Sequence, residues 1–90
     1  MTTASYRASR ILGGRLRRRR EELGLRQDEV AALSHVNASH YGKLERGESN
    51  PTVQTLLQIS ITLEIEPAWL VRGLDDEALL SASEIMHRSV

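Results

Sequence analysis

Ninety residues suit one domain with a modest core, which leaves room for a single site rather than a binding domain joined to a separate effector. With no cysteine, a disulfide scaffold and thiolate zinc sites are excluded. The formal net charge of +0 hides an asymmetry: residues 1–50 hold ten Lys and Arg against six Asp and Glu, and residues 51–90 hold two against six, so the first half is suited to meet a polyanion.

The opening MTTASYRASR is polar and lacks an apolar h-region, so no secretory signal is read there. No apolar run approaches the ~20 residues of a membrane span. The expected location is therefore cytoplasmic. Residues 1–9 are expected to form a flexible arm, and Leu12, Leu16 and Leu23 make a stripe that predicts a first helix over about 9–23, stopped by Gly24. Arg15, Arg17 and Arg18 are either a solvated face or phosphate contacts, and Arg17 is carried forward as a candidate. Arg19 is expected to snorkel along the core edge. A membrane-surface helix is disfavoured because the apolar face is thin.

Gln27–Gly47 is the stretch around which the chain is arranged. Val30, Ala31 and Leu33 give one short helix its apolar face, with Asp28 and Glu29 in the first turn where negative charge suits the helix dipole. Tyr41 and Leu44 do the same for a second helix, with Asn37 as its N-cap and Gly47 as its stop. Residues 34–37 leave space only for a turn, so the helices cross steeply and the second is free to present its outer face to a groove. Gly42 lies inside that second helix at a cost of about 1 kcal/mol relative to alanine. Close approach of a partner is one reason to keep it, and tolerated drift is the other.

Asn50-Pro51 marks a boundary, after which Thr52 caps a fourth helix whose Val53, Leu56, Leu57, Ile59 and Leu63 are expected to supply most of the core. Pro67 opens a fifth helix that Gly73 ends. Residues 10–73 thus form the domain. Residues 74–90 are a tail or a dimerisation helix, with Leu79, Leu80, Ala82, Ile85 and Met86 at helical spacing.

Leu12-Gly13, Leu16, Arg20-Glu21-Glu22, Gly24-Leu25, Gln27, Val30-Ala31, Val36, Lys43-Leu44-Glu45-Arg46-Gly47, Asn50-Pro51, Leu56, Ile59 and Leu63 together resemble the lambda-repressor-like (Cro and phage-repressor type, XRE-like) helix-turn-helix family. The resemblance implies an all-α, compact five-helix domain that binds double-stranded DNA as a transcriptional regulator, most simply a dimeric repressor. It makes 38–45 the recognition helix of the major groove. By the same resemblance Gln27 contacts phosphate or base, Ala38, Ser39, His40 and Lys43 read base edges and adjacent phosphates, and Arg46 and Asn50 touch backbone. Arg20 and Glu45 match a structural salt bridge between the first helix and the recognition helix.

Departures from the pattern matter too. His35 stands at the usual turn glycine and is expected in the left-handed region, and Glu64 replaces another usual glycine. Tyr41 takes a normally aliphatic core position, where its hydroxyl needs a partner or solvent. Ala38 and Gly42 leave only Ser39, His40 and Lys43 as polar readers, so sequence is expected to be read partly through DNA shape. Ile61 and Trp69 fall where polar residues are usual, which marks them for a homodimer seam or for packing under the C-terminal segment.

Ser34, Ser39, His35, His40 and Asp28 imply no deep pocket, so no enzyme is expected. His35, His40 and His87 lack metal-ligand spacing, and no metal, cofactor or small-molecule ligand is expected. The competing reading is a protein-interaction module on the same fold that does not bind DNA.

Overall fold

The structure is a computed structural model that describes residues 3–75, with side chains from residue 7 onward. Five helices follow one another: α1 (Thr3–Glu22), α2 (Gln27–Leu33), α3 (Ala38–Glu45), α4 (Val53–Leu63) and α5 (Pro67–Val71). Among the described residues there is no strand. The fold is all-α, as the helical periodicities predict.

The caps are those the sequence implies. Asn37 accepts from the backbone N–H of His40, Thr52 accepts from that of Thr55, and Pro67 opens α5 where its missing N–H costs nothing. Arg26 precedes α2, and its backbone N–H donates to the Glu29 carboxylate at 2.8 Å. His35 and Glu64 both sit in the left-handed region, at φ 58° and 55°. These two departures from glycine are tolerated without a change of turn.

Every helix contributes to one core: Leu12 and Leu16 from α1, Val30 and Ala31 from α2, Tyr41 and Leu44 from α3, Ile59 and Leu63 from α4, and Leu70 from α5. Gly13 lets α1 approach α3 closely, because a Cβ there would collide with the backbone carbonyls of Leu44 and Glu45. Gly47 ends α3 at φ 74° with the Arg10 backbone against it, so both its conformation and its space exclude a side chain.

Three expectations need correction. The helix starts at Thr3, so the segment read as a flexible arm over 1–9 is helical from that residue. At its end Ser9 is buried and its hydroxyl donates to Asn50, which anchors a turn that polar composition alone makes look unattached. On α4, Ile59 and Leu63 are buried, but Val53 and Leu57 are exposed because the buried stripe runs through Leu56, Ile59, Ser60 and Leu63 to one side of them. Trp69 is half-buried and packs against the core, so it is not the exposed tryptophan the sequence suggests. The possible sixth helix lies outside the described residues from 76 onward.

Candidate nucleic-acid interface

The site is built on an ion pair that locks α1 to α3. Arg20 Nε donates to Glu45 Oε2 at 2.7 Å and Nη2 to Oε1 at 3.0 Å, a bidentate geometry. Arg20 Nη1 also donates to the Leu25 carbonyl at 2.8 Å, which ties the α1–α2 loop into the same knot. Gln27 completes it by donating its amide nitrogen to Glu45 Oε1 at 2.9 Å. Burial by itself would raise the Glu45 carboxyl; Arg20 foremost, then Tyr41 and Gln27, outweigh it and hold the group below its usual range. The Glu45 bond in turn raises Arg20 above the ordinary arginine value.

Tyr41 is buried beside this knot, and among the described residues no group stands within hydrogen-bond geometry of its hydroxyl. Burial, then the neighbouring Glu45 carboxylate, pushes the phenol well above the usual tyrosine range. The sequence reading required a partner or an outlet for that hydroxyl, and the structure provides neither.

The orientation of α3 follows from these contacts. Its inner side carries Tyr41, Leu44 and Glu45, all buried, and its outer side presents Ala38, Ser39 and Lys43 to solvent, with His40 half-buried. Arg46 follows the helix, exposed, with Nε on Glu48 Oε1 at 3.1 Å. Asn50 is exposed and receives the Ser9 hydroxyl, which fixes it near the end of α3. On α1, Arg17 lies one turn from both Gly13 and Arg20, the residues that touch α3, so it borders the same side. It is exposed and paired with Glu21 at 3.3 Å.

Gln27 is thus placed in the structural knot as well as at the rim, a double position the sequence did not reveal. The remaining arginines of α1 divide by role. Arg15 Nη1 donates to the carbonyls of Trp69, Leu70 and Arg72, closing the C-terminal end of α5. Arg19 donates to Leu63 and Glu64 carbonyls at the end of α4, the core-edge position expected of it now given a definite task. Sequence reasoning missed the Arg15 cap because its acceptors lie about fifty residues further on.

Away from α3, Val53, Leu57 and Ile61 recur every four residues on the exposed side of α4, with Ile61 78% exposed. Leu33 borders the same shallow hollow as Ile61. Trp69 lines a different open groove, with Arg19, Ile65 and Arg72. Ile61 and Trp69 thus line different hollows.

The helix-turn-helix family model matches residues 16–70. The uncharacterized HTH-type transcriptional regulator y4dJ of Sinorhizobium fredii is 37% identical over 67 residues, covering 74% of this chain and 87% of that protein. HTH-type transcriptional regulator DicA of Escherichia coli is 36% identical over 69 residues, 73% of this chain and 49% of its own length. Among solved structures, the restriction-modification controller protein C.AhdI from Aeromonas hydrophila superimposes with a TM-score of 0.67 at 37% identity, covering 69% of this chain and 94% of that one.

Proposed function

The chain belongs to the helix-turn-helix family and is a DNA-binding transcriptional regulator; from that premise we propose that it acts as a dimeric repressor that occupies its operator with α3 in the major groove. The observation that carries the reading is the division of α3, whose inner side is locked by Tyr41, Leu44 and Glu45 while Ala38, Ser39 and Lys43 remain outside. A helix held rigidly with its polar side outward is what groove reading requires.

His40 reads with Ala38, Ser39 and Lys43, Gln27 contacts phosphate or base, and Arg46, Asn50 and Arg17 supply backbone contacts, which set register. Arg20 and Glu45 brace α3. No helix among the described residues is long and apolar enough to cross a membrane.

The dimer uses the Val53–Leu57–Ile61 stripe with Leu33, and not Trp69. Residues 53–63 contain no charged side chain, so two copies can abut there without burying an unpaired charge. A two-fold axis at this seam gives two recognition helices for half-sites about 10 base pairs apart. Methylation interference on an operator selected from random duplex tests the reading. Interference at major-groove purines in two such half-sites is expected; binding that tolerates full major-groove methylation would contradict it.

A further inference from the structure

Gly42 lies three residues after Ser39 and four after Ala38, and unlike them it is buried, with the side chains of Arg46 and Gln27 nearest to where its Cβ would stand. The sequence leaves the outward side of α3 without a bidentate reader. The structure fills the gap from outside the helix: a Cβ on Gly42 would stand 3.1 Å from Nη1 of Arg46 and 3.5 Å from Oε1 of Gln27. A side chain at 42 would therefore press on the guanidinium, which would have to give by a few tenths of an ångström. Its Nε is held by Glu48 at 3.1 Å, which turns the Nη edge toward the helix. Gln27 cannot swing into the seat, because its amide nitrogen is bound to Glu45. The Arg46 side chain is still 54% exposed, so the seated group remains open to a ligand.

Resting on the reading of α3 as the recognition helix, the geometry points to Gly42 as the positioning residue that seats Arg46 on the groove side, and to Arg46 as a base reader for the O6 and N7 edge of a guanine. A planar guanidinium matches those two acceptors, and an ammonium does not match both at once. Arg46 thereby does more than touch backbone. The seat also accounts for a glycine inside a short helix, where alanine would otherwise serve better.

The test starts from an operator enriched from a random duplex pool by the wild-type chain. Each base pair is varied singly, and Kd is measured for wild type, Arg46→Lys, Arg46→Ala and Gly42→Ala. Both Arg46 variants should lose about ten- to a hundredfold preference for one guanine, and Arg46→Lys should keep most of the affinity that charge alone supplies. Gly42→Ala, whose methyl displaces Nη1, should lose part of the same preference and change nothing further in the Arg46→Ala background. Its melting temperature should be equal or higher, which separates lost reading from lost folding. Uniform weakening across all operator variants, with the guanine preference intact in Arg46→Lys, overturns the proposal and leaves DNA binding standing. Failure of the wild type to enrich any site overturns both.

Discussion

Arg20 and Glu45, 25 residues apart in the chain, meet through two hydrogen bonds of 2.7 and 3.0 Å, with side-chain exposures of only 13% and 2%. Such a pair contributes modestly as a pair, because desolvation offsets attraction. Losing one partner is costly. Arg20→Ala should destabilise by about 3–5 kcal/mol, since it strands a buried carboxylate, whereas Arg20→Met combined with Glu45→Leu should cost much less. Urea denaturation of the three proteins checks this.

The same pair sets the acid limit of stability. Because the Glu45 carboxyl titrates lower in the folded chain than its ordinary 4.5, its contribution is complete above that value and is lost as pH falls through the depressed folded value. Glu45→Gln should flatten this part of the curve of melting temperature against pH below about 5.

Tyr41 sets the alkaline limit. Its folded value is raised above the ordinary 10.0, so stability is complete below pH 10.0 and declines as pH rises beyond it. Tyr41→Phe removes a buried hydroxyl without a partner, and should leave stability at neutral pH equal or higher by up to about 1–3 kcal/mol while abolishing the alkaline decline. A clear loss at pH 7 would show that the hydroxyl is bonded.

Arginines 15 and 17 should separate cleanly. Arg15 caps α5 through three carbonyls, so Arg15→Ala should lower the melting temperature and leave the salt dependence of DNA binding unchanged. Arg17→Ala should do the reverse, changing stability by less than about 0.5 kcal/mol and reducing the log–log salt slope by about one.

The exposed stripe on α4 predicts the assembly. Ile61→Asp should sediment as a monomer and bind a two-half-site operator weakly, since each half then binds alone. Trp69→Asp should instead destabilise the fold, because Trp69 packs on the core. Sedimentation of Ile61→Asp like the wild type would remove the seam from α4.

The helices, their caps and both left-handed non-glycines were legible because each rests on a local signal: Asn37, Thr52 and Pro67 as starts, Gly24, Gly47 and Gly73 as stops, and His35 and Glu64 at turn positions. What escaped depends on contacts far along the chain. Composition made residues 3–9 look unattached, and the Ser9–Asn50 bond shows otherwise for Ser9. Apolar spacing gave α4 too wide a core stripe, because periodicity fixes a face but not which part of it meets a neighbour. At the site, Arg20 and Glu45 were readable as a pair, but Gln27 joining them and Arg46 seated over Gly42 needed coordinates.

The central claim is that α3 and its basic surround hold DNA. An equilibrium titration of the selected operator duplex, followed by fluorescence anisotropy between 50 and 200 mM salt, addresses it directly. If several phosphates are neutralised, log K should fall linearly with log salt, so that the affinity drops about 10³-fold across that range. An affinity that stays flat over the same range would contradict the account.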